Sequence, residues 1–141
     1  MVIANYYECA IILGMKAIKK TYTINAPIEK VWQALTDPKM IDAWGGGPAK
    51  MAAAVGTKFE FWGGDIHGEN IEVIPNKKLV QHWYEGNWKK PSTATFTLEP
   101  NNGRTTLVLV HENVPAASHD DINEGWDQYY LDPLKDYVEE Q

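Results

Sequence analysis

The side chain that the sequence places best for chemistry is His111. It shares one face of a predicted strand with Leu107 and Leu109, and an imidazole there could donate a hydrogen bond or act as a general acid–base group. Gln81, on another predicted strand, could supply a second polar group. The alternative is a histidine whose hydrogen bonds are satisfied locally, so the sequence leaves the role of His111 open.

Other nucleophiles and carboxylate pairs are not recognisable. Ser92 and Ser118 have neither a nearby histidine nor a supporting acid in a recognisable arrangement. Glu69 and Glu72 are an odd number of residues apart, which predicts opposite faces of a strand. The glycines at 45–47 are not followed by Gly-Lys-Ser/Thr, so they do not predict a phosphate-binding loop. The sequence therefore assigns no catalytic residue.

Metal and cofactor sites are not predicted either. His67 lies near Asp65 and Glu69, but a metal site needs three or four convergent ligands, and this stretch offers only loose alternation of side chains. A solvated sheet edge is the better interpretation. We expect neither a metal nor a cofactor.

Size and charge narrow the class of protein. The 141 residues predict one domain with a hydrophobic core. A net charge of -6 without any basic block argues against nucleic acid as a partner. The apolar run Ile11–Leu13 is too short for membrane insertion, which takes ~20 residues. The single Cys9 cannot form an internal disulfide, and a reducing, cytoplasmic setting is expected.

The first residues differ from the rest of the chain. Met15-Lys16 reads like a natural protein start. We therefore expect residues 1–15 to be an extension outside the fold and residues 16–141 to form a single domain. The alternative is an additional edge strand over residues 6–13.

Helical spacing appears near both ends of the chain. Residues 25–38 predict a short helix, with Asn25 as cap and Pro38 beyond its end, and residues 39–44 predict a second one. From about Asp120 the pattern is helical again. Its apolar face is formed by Trp126, Tyr130, Leu134 and Val138, and Pro133 is expected to kink this helix.

Strand-like runs fill the space between these helices. Short turns separate them, which favours antiparallel hairpins, and Asn102-Gly103 is the strongest turn signal. A curved antiparallel sheet cannot cover its own apolar face, so the long C-terminal helix must do so, and a gap between them is the default binding site. The predicted strands are 17–24, 50–54, 58–62, 66–74, 79–85, 93–99 and 105–112.

Three stretches of this sequence resemble one superfamily. The first runs from Ile24 to Pro38, the second is Gly56-Thr57-Lys58-Phe59 with Trp83, and the third runs from Gly125 to Tyr137. Together they resemble the START-like (Bet v 1-like, SRPBCC) superfamily, in the branch named after the activator of Hsp90 ATPase. The resemblance covers about residues 16–141.

This resemblance implies an α+β helix-grip fold. In that fold a curved antiparallel β-sheet wraps around a long C-terminal helix, with two short helices after the first strand. The resemblance also implies a cavity between sheet and helix, whose tryptophans and tyrosines either pack or stack on a ligand. The residues expected to face it are Phe59, Phe61, Leu79, Gln81, Trp83, Leu107, Leu109, His111, Trp126 and Tyr130.

Three functions are compatible with these expectations. The first is binding of a hydrophobic, aromatic or lipid-like small molecule in the cavity. The second is a protein-binding module for an Hsp90-type chaperone. The third is a cyclase- or aromatase-like enzyme using His111 and Gln81. A monomer or a weak dimer is expected in each case.

Overall fold

The computed structural model describes residues 15–140. The expected extension and the alternative strand over residues 6–13 lie outside these residues, except for Met15, which begins the first strand.

Two short helices follow the first strand, as predicted. Helix α1 is Ile28–Thr36 and helix α2 is Pro38–Trp44. The two helices meet at Asp37, which precedes a proline and is extended, so α1 ends there. The carboxylate of Asp37 accepts a hydrogen bond from the backbone N–H of Lys39 at 2.9 Å, so the same residue caps α2.

The strands form one six-stranded sheet in the order β1-β6-β5-β4-β3-β2. Every neighbouring pair is antiparallel, as the short turns predicted. The β5–β6 hairpin turns at Asn102 and Gly103, whose φ angles of 52° and 83° suit a two-residue turn. The strands are β1 (Met15–Ile24), β2 (Lys58–Phe61), β3 (Ile66–Ile74), β4 (Lys78–Glu85), β5 (Ser92–Asn101) and β6 (Arg104–Pro115).

The predicted strand over residues 50–54 is wrong. Only Lys50 forms a bridge, with Glu60. The following alanines are exposed and offer no apolar face to bury. The carbonyls of Ala52 and Ala54 accept from the side-chain amide of Asn70 instead of from a neighbouring strand. The side-chain amide of Asn70 thus satisfies carbonyls that would otherwise need backbone N–H groups of a neighbouring strand.

The prediction that Glu69 and Glu72 lie on opposite faces is also wrong. A bulge in β3 inserts one residue between them, so Glu69 pairs with His82 and Glu72 pairs with Val80. His82 and Val80 are two residues apart on β4 and therefore share a face. Each carboxylate forms an ion pair with a different lysine, so the two do not act together.

The C-terminal helix, residues 119–139, has three parts. Helix α3 is His119–Gly125, a π-helical segment covers Trp126–Leu131, and helix α4 is Asp132–Glu139. Pro133 lacks an N–H, and the widened turns stand directly before it, where α-helical bonding is interrupted. The disturbance expected at the proline thus takes the form of a π segment.

The apolar face predicted for this helix is confirmed. Its four residues, Trp126, Tyr130, Leu134 and Val138, are all buried in the hydrophobic core. A polar contact fixes the other side of the helix to β1, where the hydroxyl of Tyr22 lies 2.7 Å from Asp127. The sheet and the C-terminal helix therefore enclose the core in the predicted helix-grip arrangement.

Candidate functional site

The ten residues expected to face the cavity all lie between the sheet and the C-terminal helix. The structure therefore brings them together in one interior, and none is more than 5% exposed. They come from β2, β4 and β6 on the sheet side and from the π-helical segment on the helix side.

Aromatic rings fill the middle of this interior. Trp83 from the sheet stacks on Trp126 from the helix, with ring centroids 4.5 Å apart. Tyr130 lies 4.7 Å from Trp126 and 5.7 Å from Phe96, and Phe61 packs against its edge at 5.5 Å. These separations are those of favourable ring contacts. The centre of the sheet–helix interface is thus a packed core.

A cavity remains at one end of the interface. It has a volume of about 380 Å³ and lies where β3 begins, β4 ends and the C-terminal helix starts. Trp83, Trp126 and Tyr130 line it, while the other seven expected residues lie in the packed interior. The residues that the sequence did not single out as cavity lining are Trp62, Asp65, Ile66, Glu85, Asp121, Ile122, Gly125 and Tyr129.

Trp62 forms one wall of this cavity in an unusual backbone conformation. Its φ is 51°, a region in which a bulky residue is strained. Two hydrogen bonds hold it there: its N–H donates to the carbonyl of Gly46 at 2.8 Å, and its indole Nε1–H donates to the carbonyl of Gly45 at 2.9 Å. Such strain persists where surrounding contacts fix it. The glycine-rich loop after α2 therefore positions this wall.

A hydrogen-bonded chain holds the second wall, Trp126. Its indole Nε1–H donates to His111 Nδ1 at 2.9 Å. His111 Nε2 lies 2.7 Å from the hydroxyl of Ser92, which donates to the carbonyl of Trp83 at 3.1 Å. The prediction that Ser92 has no nearby histidine is therefore wrong, because hairpin pairing brings together residues distant in sequence.

The direction of these bonds fixes the tautomer of His111. An indole N–H can only donate, so Nδ1 of His111 is the acceptor and Nε2 carries the proton. His111 therefore donates to Ser92 and cannot take a proton from it, which is what a nucleophilic serine needs. Burial lowers the pKa of His111 to about 3. The histidine is neutral, with both ring nitrogens engaged by the protein.

A second chain holds the third wall, Trp83. Its indole Nε1–H donates to Gln81 Oε1 at 2.9 Å, and Gln81 Nε2 donates to Asn70 Oδ1 at 2.9 Å. Asn70 donates in turn to the carbonyls of Ala52 and Ala54. The sequence analysis did not single out Asn70, although it shares the inward face with Ile66 and Gly68 and precedes the bulge in β3. Gln81 and His111 thus have parallel roles, each fixing one tryptophan.

Tyr130 differs from these paired groups. Its hydroxyl is the one buried side-chain nitrogen or oxygen in residues 15–140 that has no hydrogen-bond partner. Burial raises the pKa of Tyr130, so the hydroxyl stays protonated. An unpaired buried hydroxyl costs about 1–3 kcal/mol. This cost falls on a residue that lines the cavity.

Removing this hydroxyl is expected to stabilise the protein. Tyr130→Phe keeps the ring contacts and deletes the unpaired group, so the free energy of unfolding should rise by about 1 kcal/mol. Urea denaturation measures the change. Tyr129→Phe, at a residue that is 59% exposed, is the matched control and should have no effect. A loss of stability in Tyr130→Phe would show that the hydroxyl is paired.

The remaining candidates form no site. His67 stacks on Tyr84 with parallel rings, and its Nδ1 lies 3.3 Å from the carbonyl of Gly64. Among residues 15–140, no group of His, Cys, Asp and Glu side chains is arranged to hold a metal. In the same part of the chain, no helix is long and apolar enough to cross a membrane.

Known proteins resemble this chain in both sequence and structure. The human activator of 90 kDa heat shock protein ATPase homolog 1 is 29% identical over 120 residues, which are 84% of this chain and 35% of the human protein. The chain therefore spans about a third of the length of the curated relatives that it matches.

Two solved structures share the fold closely. An HSP90 activator from Plasmodium falciparum superposes with a TM-score of 0.78 at 27% identity, covering 84% of this chain and 92% of that one. The Aha1 dimer from Colwellia psychrerythraea gives a TM-score of 0.75 at 27% identity, with coverage of 87% and 96%.

The family assignment rests on almost the whole described chain. The model of the family "Activator of Hsp90 ATPase homolog 1-like protein" matches residues 25–139. That range begins just after β1 and ends with α4, so it includes both short helices and every wall of the cavity. The chain belongs to the activator of Hsp90 ATPase homolog 1-like family, as its resemblance predicted.

Proposed function

We propose that this domain binds a small aromatic or apolar molecule in the cavity at the end of the sheet–helix interface. The observation that carries the proposal is an open volume of about 380 Å³ lined by aromatic side chains. Pockets for small molecules typically measure 300–1,000 Å³ and are mostly apolar with a few polar groups. The cavity is at the small end of this range, which fits one or two fused rings better than a long lipid chain.

The hydrogen-bonded chains support this role because they hold the indole rings of the cavity wall in fixed orientations. The indole N–H groups of Trp83 and Trp126 are engaged by Gln81 and His111, so the rings are oriented before a ligand arrives. A wall that is ordered in advance costs less side-chain entropy on binding. The packed residues of β2 and β6 serve in this proposal as support for the walls.

Filling the cavity tests the proposal. Gly125 is a helical residue that lines the cavity. A Cβ at this position would lie 3.9 Å from a ring atom of Tyr129, with no other such contact within 4 Å. Gly125→Leu should occupy part of the volume and favour the helix by up to about 1 kcal/mol. We expect affinity for 2-naphthalenemethanol, followed by quenching of tryptophan emission, to fall at least tenfold without loss of stability.

Gln128→Leu is the matched control. It adds the same side chain to the same helix at an exposed position outside the cavity, and binding should be unchanged. Equal affinity in Gly125→Leu and the wild-type protein would contradict a ligand site in this cavity.

A second candidate function is binding to an Hsp90-type chaperone. It is favoured by the relatives, whose names describe activators of the Hsp90 ATPase and which align with 84% of this chain. A cytoplasmic location fits both candidates. The same two variants separate them: stimulation of a chaperone's ATPase that survives in Gly125→Leu would be independent of the cavity. Stimulation by the wild-type protein together with no ligand effect would favour the chaperone role.

A further inference from the structure

The described residues at the rim of the cavity carry charge of only one sign. Asp65, Glu85 and Asp121 line it, and among residues 15–140 no Lys, Arg or His does. Asp65 and Asp121 are exposed, whereas Glu85 is half-buried. Within residues 15–140, none of these three carboxylates forms an ion pair with a basic side chain. Within the described part of the chain, the negative charge at the rim is therefore not neutralised by an ion pair.

Glu85, the half-buried carboxylate of the rim, is affected by both its burial and a neighbouring charge. Burial and the neighbouring charge of Asp121 raise the pKa of Glu85. Both causes disfavour the charged form, so a positive charge placed beside Glu85 would be stabilised by it. A ligand with a cationic group would supply a positive charge that the described residues do not provide at this rim.

The aromatic walls favour the same kind of ligand. The face of an indole or phenol ring is electron-rich and attracts a cation within about 6 Å of the ring centroid. This attraction is worth ~0.5–1 kcal/mol at exposed sites and more when the cation is desolvated. The rings that line the cavity are those of Trp62, Trp83, Trp126, Tyr129 and Tyr130.

We propose that the ligand of this cavity is an organic cation with an aromatic or apolar body, whose charged nitrogen lies between the aromatic walls and the carboxylates of Glu85 and Asp121. The ring system of the ligand would occupy the apolar interior, and its ammonium group would face the acidic rim. This inference rests on the proposed function, since it specifies the ligand of the same cavity.

A charge series on one ring system tests the inference. The probes are (2-naphthylmethyl)trimethylammonium, neutral 2-naphthalenemethanol and anionic 2-naphthoate, titrated into the full chain by tryptophan quenching. The cation should bind at least about tenfold more tightly than the neutral probe, and the anion more weakly than both. Added salt should weaken binding of the cation and leave the neutral probe unaffected.

A substitution at Glu85 tests whether the preference for the cationic probe arises at the rim of the cavity. Glu85→Gln should reduce affinity for the cation several-fold and leave affinity for 2-naphthalenemethanol unchanged. Glu29→Gln, an exposed residue of α1, makes the same charge change away from the cavity and should alter neither.

Two results would overturn the inference. Equal binding of all three probes would remove the preference for a cation and leave the proposed function intact. Failure of every probe to bind would contradict both.

Discussion

Acidification should weaken this fold well before its carboxylates are fully protonated. His111 is completely buried, and burial lowers its pKa from an ordinary 6.5 to about 3. Both ring nitrogens are engaged, so protonation of the folded protein would break the bond from Trp126 and place a charge in the core. The unfolded chain can take up the same proton freely.

The sign of the effect follows from proton binding. Between pH 6.5 and about 3 the unfolded state binds more protons at His111 than the folded state does, so stability falls as the pH falls. The contribution of His111 is fully present above pH 6.5. Below that value the expected slope approaches roughly 1.4 kcal/mol per pH unit. Urea denaturation at a series of pH values measures it.

Replacing His111 with an uncharged residue separates its contribution to the pH dependence of stability from that of other groups. His111→Gln removes the titrating group, so its stability should be lower than that of the wild-type protein at neutral pH and should lack the fall that His111 causes between pH 6.5 and about 5. Below that range carboxylates contribute as well. Glu139, for example, has its pKa lowered by hydrogen bonds from the backbone of Asn25 and from Lys135. Identical pH profiles for the two proteins would show that His111 is not buried neutral.

A methyl group at Gly68 should also destabilise the fold strongly. A Cβ built at this position would lie 1.8 Å from the carbonyl oxygen of His82 and 2.9 Å from the ring of Phe59. The first obstacle is backbone of the neighbouring strand, so β3 and β4 must separate to accept it. We expect Gly68→Ala to lose more than about 3 kcal/mol, or to lose the cooperative unfolding transition altogether.

Gly125→Ala is the matched control for this prediction. The same methyl group there meets only a ring atom at 3.9 Å and replaces a helical glycine, so stability should rise by up to ~1 kcal/mol. Thermal or urea denaturation of both variants compares them directly. A Gly68→Ala protein as stable as the wild type would mean that Gly68 and the carbonyl of His82 are farther apart than in this structure.

Strands and helices were readable from the sequence because their patterns are local. Trp126, Tyr130, Leu134 and Val138 recur at four-residue intervals, and all four are buried. The alternation of Leu79, Gln81 and Trp83 likewise predicted which face of β4 is buried, and it did so despite the polar residue in the series.

The contact between Ser92 and His111 could be predicted from the register of the β5–β6 hairpin, although the two residues are not close in sequence. The turn at Asn102-Gly103 fixes the register of the hairpin, and counting outward from it places Ala94 opposite His111. Ser92 is two residues beyond Ala94 on the same face, diagonal to the imidazole. The contact could therefore have been derived from the turn and the strand period.

The position of the cavity could not be derived in this way. It depends on the positive φ of Trp62 and on how far Trp83 and Trp126 fill the interior. The bulge between Asn70 and Glu72, which places Glu69 and Glu72 on one face, likewise has no signature in the pattern of β3. These features are set by packing between distant segments, which residue spacing does not encode.

The most direct measurement is a backbone NMR titration of the full chain with indole, 2-naphthalenemethanol and (2-naphthylmethyl)trimethylammonium at up to millimolar concentration. The proposed function predicts shifts for at least one probe that cluster on the amides of Trp62, Ile66, Glu85, Ile122 and Gly125, around the cavity. Shifts confined to other surfaces, or none for any probe, would contradict it and favour a role carried by the protein surface.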